Sequence, residues 1–352
     1  MTDGSSSSSP RPGGETHAQF AEESSGVLKR LQHFLHAHPT AIPAIVLLAA
    51  LVFFSLTVGG RFFHPFNFSL IVQQVTIIGI VGVAQTLIIL TAGIDLSVGA
   101  IMVLSSMVIG RLAVVSGLPP PLAVAIGLSV GAACGYLNGI LVTRLKLPPF
   151  IATLGTWNII FALNLWYSAS ETIRSQDIEE KAPLLLFFGR TIDFYGARLT
   201  YGSLAMLALV AFAWYALNRT AWGRHVHAAG DDLDAARLAG IRTDRVLLSV
   251  YIAAGVICAF AGWALIGRIG SASPQAGQTS NLDAITAVVI GGTSLFGGRG
   301  SIVGTLLGAL IVGVFRNGLA LSGVNVLWQE FAVGVLIISA VAVDQWLRRI
   351  SQ

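Results

Sequence analysis

A chain of 352 residues with 54% apolar residues (AVILMFWYC), 11% charged residues and a mean hydropathy of +0.76 is not an ordinary soluble domain, which carries about 25% charged residues. The net charge of +4 is small, and the basic residues fall between apolar runs instead of along one face, which excludes a nucleic-acid binder. The composition leaves an all-α polytopic membrane helix bundle, in which each span needs about 20 apolar residues.

In chain order, residues 1–38 read as a tail. "DGSSSSSPRPGGE" is low-complexity and is expected to be disordered and cytoplasmic. The first long apolar run begins near Ala41, with no small-residue cleavage pattern ahead of it, so the tail does not read as a cleavable signal. "LKRLQHFLHAHP" before that run suits a short interfacial helix. Residues 39–352 then form one transmembrane domain. Its expected spans are 41–58, 70–90, 96–115, 122–142, 150–167, 201–217, 247–266, 284–295, 302–321 and 327–346, about ten by the length criterion. The eighth is short and ends in "GGTSLFGGRGS". Polar segments at 168–200 and 218–246 separate the groups of spans.

Lys and Arg orient the spans. Arg144 and Lys146, then Arg219, Arg224, Arg237, Arg242 and Arg245, then Arg299, Arg348 and Arg349 fall on one side, together with Lys29 and Arg30. In 168–200 the cations Arg174, Lys181, Arg190 and Arg198 are diluted by Glu171, Asp177, Glu179, Glu180 and Asp193. That segment reads as external, the 218–246 loop as cytoplasmic, and an even span count puts both termini in the cytoplasm.

Several residues invite a functional reading. Asp95, in "LTAGIDLSVGA", is a carboxylate between two apolar runs, flanked by Gly93 and Gly99. It can cap the third helix or face a solvated pathway; capping is the reading favoured. "AGIDLSVGAI" (92–101) and "GGTSLFGGRGSI" (291–302) echo one another, as interrupted helices of an internal repeat do. In the 218–246 loop, Asp231 or Asp232 can N-cap a helix of about two turns that carries Asp234, Ala235, Ala236, Arg237 and Leu238 and ends at Gly240. Nothing in the loop is expected to cover that helix, so it reads as a docking peg for a cytoplasmic partner.

Other features carry less. Gln73, Gln74, Gln85, Asn138, Asn158 and Asn164 can bind a hydroxylated solute or join helices; Gln73, Asp95, Asn158, Ser294 and Phe296 are the residues expected along a translocation pathway. Trp157, Phe161 and Trp166 make an aromatic wall or pack on lipid. The seven histidines make no metal-ligand spacing. Cys134 and Cys258 lie in apolar runs and read as small buried hydrophobes. "GGRGSIVG" lacks the Lys-Ser/Thr of a phosphate loop, so no ATP site and no cofactor is expected in this chain.

"LTAGIDLSVGAIMVLSSM", "GYLNGILVTRLKLPPFIATLGTW", "GDDLDAARLAGI" and "AVVIGGTSLFGGRGSIVGTLLGALIVG", in that order over residues 40–347, resemble the permease subunits of ABC sugar importers, in the branch that carries ribose, xylose, arabinose, galactose and fructose. "ETIRSQDI" and "NRTAWGR" look closest to fructose import permeases. The resemblance implies a bacterial inner-membrane subunit and not an enzyme: a cytoplasmic ATP-binding subunit hydrolyses ATP, a periplasmic binding protein delivers the sugar, and a second copy of the permease completes the pore. It also implies that the segment Asp234-Ala235-Ala236 to Gly240 is the helix that docks on the ATPase, with Asp where the family more usually has Glu. Arg316, in the ninth span, is unexpected for that pattern. Two alternatives stay open: another cargo, such as a branched-chain amino acid or a sugar-derived signal, and an ion-coupled secondary transporter using Asp95.

Overall fold

The computed structural model describes residues 40–277 and 279–350, without the side chains at 194, 340, 341 and 343–350. The expected tail and its interfacial helix lie outside the described residues. The elements are α1 (Ala41–Val58), α2 (Pro65–Leu90), α3 (Val98–Val114), α4 (Pro120–Thr143), α5 (Pro149–Ser168), α6 (Ser175–Lys181), β1 (Thr191–Phe194), β2 (Ala197–Thr200), α7 (Tyr201–Arg219), α8 (Ala221–Asp231), α9 (Leu233–Leu238), α10 (Thr243–Ile269), α11 (Ser280–Ile290), α12 (Ile302–Leu321) and α13 (Val326–Ile350). All ten expected spans correspond to helices. Among the described residues, seven helices are long and apolar enough to cross a membrane; α3, α11 and the Val326–Ser339 part of α13 are shorter.

Local chemistry sets many of the boundaries. Prolines open α2, α4 and α5, where the missing N–H costs nothing. Thr200, Thr220 and Ser301 cap α7, α8 and α12 through their hydroxyls. The eighth span is a correction: the helix begins at Ser280 and stops at Ile290 instead of running to 295. Gly292 has φ +83°, a left-handed conformation that ends the helix and that glycine adopts at no steric cost.

The core is built around α2. Every side chain from Val75 to Leu90 is buried, in keeping with a run that is apolar all round. Helices α10, α11, α12 and α7 pack on it. Thr86 and Thr305 share a hydrogen bond of 2.6 Å between α2 and α12, and Asn317 donates to Asn67 at 2.9 Å nearer the other end. Helix α10 packs most extensively on α4. There a Cβ on Gly131 or Gly135 would overlap the backbone carbonyl of Gly255 or Tyr251, so only glycine permits this closeness of helix axes.

The polar segment 168–200 is structured. It contains α6, a 3-10 turn over Pro183–Gly189 and the β1–β2 hairpin. Arg198 N donates to Ser69 Oγ at 2.7 Å, tying the hairpin to the beginning of α2. The loop 218–246 meets the other end of α2, where Leu90 lies. Ser69 and Leu90 are about 30 Å apart along a helix rising 1.5 Å per residue, close to the thickness of a bilayer core.

Arg316 does not break α12, and the expected boundaries of that span hold. Its guanidinium contacts Asp283 of α11 at 2.8 Å and Glu330 of α13 at 3.1 Å. Asp283 lies one residue before the span expected to begin at 284, outside the apolar run that the sequence marks. Arg316→Ala leaves the largely buried Asp283 carboxylate without its cation, and a loss of about 2 kcal/mol is expected from the charged hydrogen bonds alone. Arg316→Lys keeps the charge but not the forked geometry and should lie between. Thermal unfolding of the detergent-solubilised protein checks the order; Arg316→Ala matching the unaltered chain would show the triad to be idle.

Candidate functional site

Two helix breaks and the 218–246 loop come together at the Leu90 end of α2. The first break, between α2 and α3, begins with Ala92 in the left-handed region at φ +58°; Ala92 N donates to Ile89 O and Gly93 N to Ile88 O. The second, between α11 and α12, repeats this pattern 200 positions later: Gly292 N donates to Val289 O and Thr293 N to Val288 O. These are the paired bonds of a Schellman end, a motif that also closes α5. What distinguishes the two breaks is that they touch: Gly298 N donates to Leu90 O at 3.0 Å.

Asp95 sits inside the first break and is 2% exposed. Its Oδ1 accepts from Ser97 N at 2.7 Å and Ser97 Oγ at 2.6 Å, and its Oδ2 accepts from Asn138 Nδ2 at 3.1 Å. Asn138 Nδ2 also lies 2.8 Å from Ser97 Oγ. The capping expectation is therefore corrected in part. The residue at the helix cap is Ser97; Asp95 binds that residue's N–H rather than one inside the helix, and it pins α4 to the break through Asn138. Thr153 of α5 closes the other side, accepting from Leu96 N at 3.2 Å and donating to Ile94 O at 3.0 Å. Asn281 Nδ2 donates to Leu96 O at 3.2 Å from α11. Three neighbouring helices thus fix the seven residues between Leu90 and Val98, the condition under which irregular backbone survives at membrane depth.

The remaining residues expected along a pathway do not form one cluster with Asp95. Ser294 is buried in the second break, where its N–H donates to Arg299 O at 2.8 Å. Phe296, at the tip of that break, is 81% exposed. Gln73 is near the opposite end of α2 and donates to Arg198 O at 3.3 Å. Asn158 is exposed on α5 and donates within its own helix to Leu154 O. Beside it Trp157 and Phe161 stack with centroids 6.1 Å apart.

The loop helix is α9. Asp232 is its N-cap and accepts from Asp234 N and Ala235 N at 2.9 and 3.0 Å, whereas Asp231 is the last residue of α8. Gly240 closes the helix with φ +84°, as the sequence suggested. Its surroundings correct the expectation that nothing in the chain covers it. Helix α9 packs on α8 and on the start of α10, and Ala236 is only 5% exposed. Arg237 is exposed but folds back along the loop, to Thr243 Oγ1 at 2.9 Å and to Asp244 at 3.2 Å. The outward face consists of Asp234, Ala235, Leu238, Ala239 and Gly240, with Leu238 91% exposed. A cleft of about 440 Å³, lined by Gly93, Thr143, Lys146, Arg237, Asp244 and Tyr251 among others, separates α9 from the first break.

Helix α8 was missed by the sequence reading. It is strongly two-sided, with Gly223, Val226, Ala229 and Gly230 buried and Arg224 and His225 exposed. The Val226, Ala229, Gly230 spacing is the signal that could have found it. Among the described residues no three His, Cys, Asp or Glu side chains are placed to hold a metal.

A bundle of apolar helices, interrupted twice beside a buried carboxylate and presenting a rigid helix on a loop, is the architecture of a transport protein's membrane subunit. The chain belongs to the branched-chain amino acid transport system / permease component family, whose model matches residues 67–341. It is 59% identical over 334 residues to the fructose import permease protein FrcC of Rhizobium meliloti, covering 95% of this chain and 93% of the relative. It is 40% identical over 284 residues to the ribose import permease protein RbsC of Bacillus subtilis, covering 81% and 86%. To the galactose/methyl galactoside import permease protein MglC of Escherichia coli it is 34% identical over 318 residues, covering 85% and 91%. No solved structure matches the chain.

Proposed function

We propose that this chain is the permease subunit of an ATP-driven importer that carries fructose across the bacterial inner membrane. The observation that carries the reading is the 59% identity to a fructose import permease over 95% of the chain. Its relatives named for ribose and galactose set the wider class at monosaccharides. A separate ATP-binding subunit docks on the outward face of α9, centred on Leu238. A binding protein delivers sugar at the side that holds 168–200, and a second copy of the chain completes the pathway. Gln73, Asp95, Asn158, Ser294 and Phe296 are the proposed pathway residues, with Asp95 and Ser294 acting through the breaks they hold. ATP-driven closure of the ATPase pair draws the two copies of α9 together, the bundles rock, and the pathway changes sides; no covalent chemistry takes place in this chain.

The test is uptake into proteoliposomes holding this chain, its ATPase and its binding protein. Labelled fructose should enter only with ATP, and ribose or a branched-chain amino acid should compete weakly. Uptake driven by a proton gradient without ATP would support the ion-coupled alternative instead.

The orientation has its own test. Both termini are assigned to the cytoplasm from the basic residues, and the opposite ends of α2 reached by 168–200 and 218–246 support it. A reporter active only in the cytoplasm should be on when fused after Arg237 and off after Asp177. The reverse pair of results would overturn the assignment.

A further inference from the structure

Helix α8 runs into α9 through the single residue Asp232. Its last turn touches both helix breaks at once. Gly230 lies so close to the end of α2 that a Cβ there would overlap Leu90 O, and it would stand 2.8 Å from Gly298 N. Gly298 N is the group that donates to Leu90 O. One turn earlier, His227 Nδ1 lies 3.1 Å from Gly298 O; a carbonyl only accepts, so the ring donates from Nδ1. Gly297 completes the junction from the other side: a Cβ on it would be 2.6 Å from Gly230 O and 2.8 Å from Ala92 N. Val226 and Ala229, at 0% and 2% exposure, anchor the same face of α8 in the core. Backbone therefore meets backbone at a three-way joint between α8, the first break and the second, with no flexible side chain between them.

The consequence is mechanical. A short helix moves as a unit, and packed contacts of this closeness shift between discrete arrangements instead of deforming smoothly. A displacement of α9 is passed through Asp232 to Gly230 and His227, and from there to Leu90 and Gly298 together. We propose that His227 and Gly230 are the positioning residues of a transmission joint, by which movement of the loop helix α9 reaches both helix breaks simultaneously. The inference rests on the reading that α9 docks the ATPase.

The experiment uses the whole transporter, reconstituted with its ATPase and binding protein, and reads three quantities: ATPase retained, sugar uptake, and ATP hydrolysed per sugar carried. His227→Leu removes the donor to Gly298; His227→Asn keeps one at nearly the same position. Gly230→Ala wedges a methyl group against Leu90 O. For His227→Leu and Gly230→Ala the expected result is normal ATPase retention with at least a tenfold rise in ATP hydrolysed per sugar. His227→Asn should return that ratio to within about twofold of the unaltered protein. A residue that only holds the fold would lower the amount of active transporter and leave the ratio unchanged, and that outcome for His227→Leu overturns the joint. So does equal uncoupling by His227→Leu and His227→Asn. Should Gly230→Ala fail to assemble, the two His227 variants decide the matter alone. Failure of the ATPase to co-purify with the unaltered chain is a different result, and it would remove the docking reading itself.

Discussion

Leu238→Glu is expected to release the ATPase subunit and lower sugar uptake by about a hundredfold, with membrane insertion unchanged. Leu238 is 91% exposed on a capped helix whose other exposed residues are small or charged, so it is the one large apolar group that α9 offers so openly to a partner. Covering a leucine stabilises a contact by about 1.5–3 kcal/mol. A carboxylate in the same place forfeits that and adds the cost of burying an unpaired charge, about 1–3 kcal/mol or more. The two terms sum to about 2.5–6 kcal/mol, which is on the order of a hundredfold or more in affinity. Ala236→Glu is the instructive contrast. Ala236 is buried inside this chain, so a charge there should destabilise the permease before it reaches the docking step. Gly240→Val meets no neighbouring atom within 4 Å of its Cβ but must adopt φ +84°, costing about 1–2 kcal/mol. Co-purification of the ATPase with each variant, alongside uptake, separates the three. Normal retention and uptake with Leu238→Glu would reduce α9 to a connector.

Asp95→Ala should deplete assembled transporter in the membrane, by about 3 kcal/mol or more of lost stability. The carboxylate accepts from Ser97 N, Ser97 Oγ and Asn138 Nδ2 in a buried site, and each buried donor left without an acceptor costs about 1–3 kcal/mol. Asp95→Asn retains an acceptor for Ser97 N and the reach to Asn138, and should keep most of the uptake. Asp95→Ser still meets the neighbouring backbone but is too short for Asn138, and should fall between. The measurements are uptake and the yield of correctly sized particles on gel filtration. An Asp95→Asn protein that inserts and assembles normally yet carries no sugar would mean that the negative charge itself takes part in transport, which is the ion-coupled alternative.

The sequence by itself determined the features that depend on neighbours within one or two helical turns. The lengths of the apolar runs located all ten helices, and the bounds of 41–58 and 302–321 coincide with α1 and α12. Asp232, one of two cap candidates, and Gly240 marked the two ends of α9 by cap chemistry that is local by nature. Only the tertiary structure decided which surface of each helix is inside. Helix α2 is buried over its second half, whereas α5 leaves Phe150, Ile151, Ile159 and Trp166 exposed, although both are apolar runs of similar appearance. A span that is apolar on every side has no hydrophobic stripe to read, so periodicity cannot say what it packs against. The polar contacts were hidden for a related reason. Asp95 meets Asn138 across 43 positions, and Arg316 meets Asp283 across 33; His227 meets Gly298 across 71. Ala236 is covered by α8, a helix of its own loop that the sequence left unread, and by the start of α10, and how those two close on α9 is set by the packing of the bundle. Caps and turns are written in adjacent residues. The meeting of two breaks at one carbonyl is written in how the helices stack, and that follows from the fit of all their surfaces at once.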